Sequence, residues 1–354
     1  MAQYTRSSLA AEYGQFRVPA VKVKLGGRDA AEELGCRIEK VMVNLMRRDM
    51  SAADIEIWDC YNMESGTLDE ALKAGMSPGA KVEVEMGYGS GLTKVFDGYI
   101  EEASLDITVR DACRVRLRAG DVIGLMRGNT RSRIFRGTSH SAVFSEIMED
   151  YSWICGSSAD STPELQEEEA WWQQGNDYDF IVDLLAGVHN PEYEFYVDRG
   201  TAYFKKMQEE DGPVISLAPG DGMEDFHITW KYLNKKIQVQ GISGSHERYL
   251  GENQASGSVL WTGAGAGTEF RAIPQADTQE KADALASAIG QRHICGSREL
   301  SAAMVGLPQL IPGRIVEIKG MDSWINGNYM IAEAKHEIGE DGYKTMVKLQ
   351  GAVG

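Results

Sequence analysis

Histidines, carboxylates and a tryptophan pair are the residues of this chain that chemistry would use, and their spacing limits what they can do. The six histidines, at 140, 189, 227, 246, 293 and 336, are isolated from one another. His246-Glu247 and His336-Glu337 are adjacent pairs, and on a strand adjacent side chains leave opposite faces, a poor geometry for a shared metal ion. Carboxylates are abundant, but sequence spacing singles out no pair at glycosidase separation. H-E-x-x-H, G-x-S-x-G and the P-loop pattern are absent. "GISGS" at 241–245 carries its serine one place late for a nucleophile elbow, and "GAGAG" at 263–267 lacks the G-x-G-x-x-G spacing of a dinucleotide turn. No catalytic, cofactor-binding or metal-binding residue is therefore assigned, and no cofactor is expected. Trp171-Trp172 would serve either as a stacking platform for sugars or bases or as anchors of packing between domains or subunits. Next to an acidic run and a helix cap at Asn176, they are taken as candidate interface anchors.

Bulk properties narrow the classes further. The 354 residues exceed one ordinary core and suggest two or three domains. With 53 acidic against 36 basic residues the formal charge is -17, which argues against a protein that grips a nucleic-acid backbone. The charge serves solubility, or a surface past which nucleic acid moves without sticking. Cys36, Cys60, Cys113, Cys155 and Cys295 are odd in number and widely spaced, which suggests neither a disulfide framework nor a zinc knuckle. No apolar run approaches a membrane span and the N-terminus has no signal-peptide core, so synthesis in a cytoplasm without membrane insertion is expected.

The elements that would position any site are mostly strands. "VKVKL" (21–25), "KVEVEM" (81–86), "KVFDGYI" (94–100) and "RVRLR" (114–118) alternate with period two, as half-buried antiparallel strands do. Residues 1–125 thus read as an N-terminal β-barrel or sandwich. Residues 126–212 read as an inserted α/β domain of two helices plus a hairpin. Val143, Phe144, Ile147, Met148 and Tyr151 stripe one helix, Phe180, Ile181, Leu184, Leu185 and Val188 the other, which Pro191 ends, and the hairpin turns at Asp198-Arg199-Gly200. Residues 213–354 read as a second β-barrel. It carries a Gly-rich loop at 251–267 and a helix at 277–294 with Asp277 and Glu280 in capping-box spacing. At its end, Tyr343, Thr345, Val347 and Leu349 alternate with Lys344 and Lys348 after the turn Gly339-Glu340-Asp341-Gly342. The segments starting at Pro78 and Pro312 share one order: Pro-Gly, an alternating strand, a Gly-containing turn and an aromatic-bearing strand. Duplication and chance similarity of two hairpins both fit that order.

Four ordered segments carry a family resemblance: "VEVEMGYGSGLTKVFDGYI", "NDYDFIVDLLAGVHNPEYEFYVDRGTAYF", "GLPQLIPGRIVEIKGMDSWINGNYMIAEAKHEI" and "GYKTMVKL". Together they resemble the phage late control gene D proteins, baseplate hubs of contractile tails, and the hub-like N-terminal region of VgrG spikes of type VI secretion. The resemblance implies a mainly β (α+β) fold with two tail-tube-like antiparallel β-barrels and the inserted α/β domain. It also implies a homotrimer whose pseudo-sixfold ring joins a hexameric tail tube or tube initiator to a trimeric spike formed by a separate chain, with tape-measure and baseplate wedge proteins as further partners. DNA or an effector would pass through the channel without specific binding, and the protein would reside in a virion or phage-tail-like particle. Gly98, Gly313, Asn326, Gly327, Tyr329, Gly342 and Tyr343 match the family pattern, with turn geometry and sheet packing as their implied role. Two other readings stay open: a tail-associated cell-wall hydrolase using paired carboxylates, and a carbohydrate-binding module centred on Trp171 and Trp172.

Overall fold

The computed structural model describes residues 3–58, 60–62, 65–68, 70–107, 113–163, 170–190, 193–206, 212–242, 245–256, 267–273 and 276–352. Among them the chain is mainly β with some helices. Alternation builds the strands. Val115, Leu117 and Ala119 are buried between Arg114, Arg116 and Arg118, and Tyr343, Thr345, Val347 and Leu349 are buried between lysines, as the period-two pattern predicts.

The largest sheet has 14 strands and draws on both ends of the chain. From Asp225–Trp230 its order runs through Arg298–Val305, Gly342–Ala352, Gly327–Gly339, Arg37–Met46, Ala52–Trp58, Arg114–Gly120, Gly91–Asp106 and Lys81–Tyr88 to Pro19–Leu25. The two regions expected as barrels are hydrogen-bonded to each other here, Glu333–Ile338 against Met46–Val41. Among the described residues this strand path stays open. Its inner face encloses one core that reaches from Leu9 to Leu349. Phe96, Ile100, Tyr329 and Ile331 are among its fully covered members. Each such side chain stabilises the fold by about 1.5–3 kcal/mol relative to exposure.

Two smaller units have cores of their own. In the middle of the chain the helices Val122–Gly128 and His140–Glu149 and the π-helical segment Phe180–His189 pack with two small sheets. Asn176 is a cap as expected: it caps the short helix Asp177–Asp179 that leads into the π-helical segment, accepting from the Asp179 N–H. The hairpin Tyr193–Asp198 with Thr201–Lys206 turns where the sequence indicates, with Arg199 at φ 46° and Gly200 at φ 82°. Leu184 and Val188 of the expected stripe have side chains outside the described set, as does the whole of Pro191. The third unit lays the helix Gln279–Ser297 on the strands Asn234–Ile242, Arg248–Ser256 and Gly267–Ala272. Here the expectations need two corrections. The cap is Thr278, whose side chain accepts from the Lys281 N–H, because the helix begins one residue later than the Asp277 pattern requires. Residues 251–256 of the expected loop are strand, paired with Asn234–Val239; residues 257–266, which hold most of "GAGAG", lie outside the described set.

The Pro78 and Pro312 segments adopt one conformation. Gly79 and Gly313 both have φ +90°, a value that favours glycine. Gly79 N–H donates to Ile100 O and Ile100 N–H to Ala80 O; Gly313 N–H donates to Ile331 O and Ile331 N–H to Arg314 O. The pairing register then shifts at the same place in each, between Ile100 and Glu102 and between Ile331 and Glu333. The order read from the sequence is thus a repeat of backbone geometry.

Candidate assembly surface

The outer face of the large sheet is polar and crosses the junction between the two halves. Its side chains are the alternate members of strands whose other members fill the core, so strand pairing alone brings them side by side. Arg116 approaches Glu56 at 3.7 Å and Asp106 at 3.0 Å, Lys40 approaches Glu337 at 2.7 Å, Lys335 approaches Glu337 at 3.1 Å, and Lys348 approaches Glu333 at 2.6 Å. The Lys40 ammonium hydrogen-bonded to Glu337 holds that carboxyl below its usual range. Each pair is partly solvated and worth little alone, about 0–1 kcal/mol. Collectively they give a sheet face of mixed sign.

Beneath that face, the residues matching the family pattern make the packing specific. His336 is fully buried between Ala334 and Ile338, while the adjacent Glu337 points outward, which is the split expected for that pair. Its Nε2–H donates to the Leu310 carbonyl at 3.0 Å, so Nδ1 accepts from the Tyr343 hydroxyl at 2.9 Å. Burial pushes the imidazole down to about 4, and the ring is neutral at pH 7. The Tyr343 ring lies 5.6 Å from that of Tyr88, whose hydroxyl donates to Gly306 O. A side chain on Gly306 would strike the Tyr343 ring at 2.0 Å, so this contact requires glycine. Tyr329 is fully buried and donates to Ile325 O at 2.6 Å. Asn326 braces the preceding loop with two bonds to the Met321 backbone, and Gly327 opens the strand that follows. Gly98 lies opposite Val82, where an added Cβ would meet Gly120 O at 2.2 Å. Gly342 has φ +90° in the terminal turn.

A second seam holds the inserted unit against the sheet. Arg47 passes beside Gly313, where a Cβ would lie 1.7 Å from its Nη1. It donates to Glu194 Oε2 at 2.9 Å and sits 3.9 Å above the Tyr196 ring. Arg48 donates to the other Glu194 oxygen at 3.0 Å. Burial raises and the two guanidiniums lower the Glu194 carboxyl, with a net fall below the usual range. Asp121 is buried at the same level and accepts from the Ser51 and Ile123 N–H groups. Burial prevails there and pushes its carboxyl up to about 7. Sequence reasoning missed Arg47, Glu194, Gly306 and Asp121; nothing local marks a residue whose partner lies on another element.

Trp171 and Trp172 leave opposite faces of the strand Ala170–Asn176. Trp171 turns inward, 4.0 Å from the His189 ring, and Trp172 turns outward, 60% exposed, donating from Nε1 to Ser132 Oγ. They form no joint stacking platform. His246 lies at φ 66° ahead of the strand Arg248–Ser256, so its pairing with Glu247 is not a strand geometry. Part of "GISGS" (243–244) and most of the acidic run (164–169) fall outside the described set. Among the described residues no group of three His, Cys, Asp or Glu could hold a metal ion, no helix is long and apolar enough to cross a membrane, and the five cysteines form no disulfide.

The model of the Alg8 N-terminal domain family matches residues 16–340. The chain belongs to that family. No curated protein matches it by sequence. Solved structures match nearly end to end. The tail protein of Neisseria meningitidis MC58 has a TM-score of 0.71 at 13% identity, over 94% of this chain and 97% of its own. The 43 kDa tail protein of prophage MuSo2 from Shewanella oneidensis has a TM-score of 0.64 at 13% identity, over 93% and 95%. The E. coli c3393 protein, described as a component of the type VI secretion system with structural similarity to T4 bacteriophage tail proteins gp27 and gp5, has a TM-score of 0.57 at 12% identity, over 93% and 76%. This member of the Alg8 N-terminal domain family thus has the fold of phage tail proteins. The expected resemblance holds at the level of fold, while the matching family is described by another name than late control gene D.

Proposed function

We propose that this chain is a structural hub subunit of a contractile tail or related injection machine, akin to the late control gene D proteins, and that three copies form a ring joining tail tube to central spike. The observation that carries the reading is the two-faced sheet: one surface holds a core shared by both ends of the chain, and the other is a continuous polar face. A tail-protein fold matched over 94% of the chain supports it. The repeated Pro-Gly segment supplies two equivalent units per chain, so three chains present six to a hexameric tube. The mixed charge of the outer face suits a channel wall: its lysines and arginines already face carboxylates, and a passing phosphate backbone meets no row of unengaged cations. Spike, tube or tube-initiator, tape-measure and wedge proteins are the partners of such a hub, and a virion or tail-like particle is its place.

Light scattering over a concentration series, followed by electron microscopy of the heaviest species, tests the reading. Trimeric rings with a central channel are expected, either alone or on addition of the spike chain. A monomer at every concentration that ignores spike and tube chains would overturn it.

A further inference from the structure

The chain contains a pattern for joining one copy to the next. Its two halves repeat strand for strand: Arg37–Met46, Ala52–Trp58, Arg114–Gly120 and Gly91–Asp106 in the first correspond to Asp225–Trp230, Arg298–Val305, Gly342–Ala352 and Gly327–Gly339 in the second. The neighbours pair in the same sequence, and the last strand of each set carries its register shift at the equivalent residue.

The halves differ in what covers two edges. In the second half the strand Gly327–Gly339 is paired beyond its register shift as well as before it, first with Ile315–Ile318 and then, through Glu333–Ile338, with Met46–Val41 of the first half. The equivalent strand Gly91–Asp106 has Lys81–Tyr88 beside it only as far as Tyr99. Beyond Ile100, which Gly79 and Ala80 still bond, one side is paired with Arg114–Gly120 and the other side is open among the described residues. Asp225–Trp230, the counterpart of Arg37–Met46, is likewise paired only with Arg298–Val305. It carries no lysine, proline or bulge that would discourage pairing.

We infer that Ala103–Ile107 of one copy pairs antiparallel with Phe226–Trp230 of a second copy, continuing the sheet across the subunit boundary. The internal junction sets the register. His336 faces Val43 there, and the equivalent residues are Leu105 and Ile228. Ala103 then faces Trp230 and Ile107 faces Phe226 on the core side, while Ser104 faces Thr229 and Asp106 faces His227 on the polar side. This accounts for apolar residues left in solvent: Leu105 is 41%, Ile107 45% and Trp230 49% exposed, whereas their internal counterparts His336, Ile338 and Leu45 are buried. The two edges differ, so the contact is head-to-tail, the kind that closes as a ring where the rotation between copies allows it and runs on as a filament where it does not. The inference rests on the ring reading only in requiring that copies meet.

Cysteine cross-linking tests it. Leu105→Cys with Ile228→Cys in one chain, oxidised in the assembled protein, is expected to give covalent dimers and trimers on a non-reducing gel. Ala103→Cys with Trp230→Cys, both at exposed positions, is expected to do the same. Mixing the two single variants of either pair is expected to stop at a dimer, because each copy then offers one reactive edge. Rings that form without either cross-link, or a single variant that dimerises with itself as efficiently, would overturn this junction and leave the ring reading standing. Absence of any ring would overturn both.

Discussion

At the scale of residues, two buried groups pull stability in opposite directions with pH. His336 has its folded pKa lowered to about 4 from 6.5, so between those values the unfolded chain binds the extra proton and stability is lost as pH falls. Its full effect is about 3 kcal/mol. Asp121 is raised to about 7 from 3.8, so in its window the folded chain holds the extra proton and stability is lost as pH rises. His189, whose pKa burial lowers to about 3, acts in the same sense as His336. Denaturant titrations between pH 4.5 and 7.5 should therefore show wild-type stability falling with acid; Asp121→Asn should steepen that fall and His336→Gln should flatten it, and the same slope in both variants would refute the assignment. Burial of His336 was legible in the sequence, since period two places it with Ala334 and Ile338. That of Asp121 was not, because its partner Ser51 lies 70 residues away. The terminal turn gives a second test. Gly342→Val should lower stability by about 1–2 kcal/mol, because φ +90° penalises a β-branched side chain. Gly339→Ala should be near neutral, since its Cβ would meet only Lys40 Cγ at 3.7 Å. Equal shifts in melting temperature would show that φ does not set the cost.

At the scale of elements, Gly313 ties the repeated turn to the inserted unit through Arg47. Gly313→Ala must displace that guanidinium from Glu194 and Tyr196. Hydrogen exchange should then speed up in the hairpin Tyr193–Lys206 while the terminal hairpin keeps its protection. Uniform acceleration would mean that the turn, rather than the seam, was damaged. Strands were legible wherever alternation ran for five residues or more, as in "KVEVEM" and "RVRLR". The strand holding Trp171 and Trp172 was not, because two adjacent aromatics break the period and the pairing with Thr130–Arg136 supplies what local pattern lacks. The Thr278 cap was read one place early since Asp277 and Thr278 are both competent acceptors.

At the scale of the whole molecule, the last strand lies between Gly327–Gly339 and Arg298–Val305. Deleting residues 341–354 takes one partner from each of these neighbours, and loss of near-ultraviolet circular dichroism from the whole large core is expected. Retention of a cooperative transition for the first half would show that it folds alone. The sequence made two regions of similar plan visible, yet it carried no sign of the hydrogen bonds between them. That register joins residues nearly 300 positions apart, and no periodicity reaches so far. The same separation has a consequence during synthesis. Arg37–Met46 leaves the ribosome long before Glu333–Ile338 exists to cover it, roughly 15–60 s at elongation rates of about 5–20 residues per second. Throughout that interval Ala52–Trp58 can cover only one edge of the strand and the other has no partner, so yield in the cell should respond to chaperone supply and translation speed.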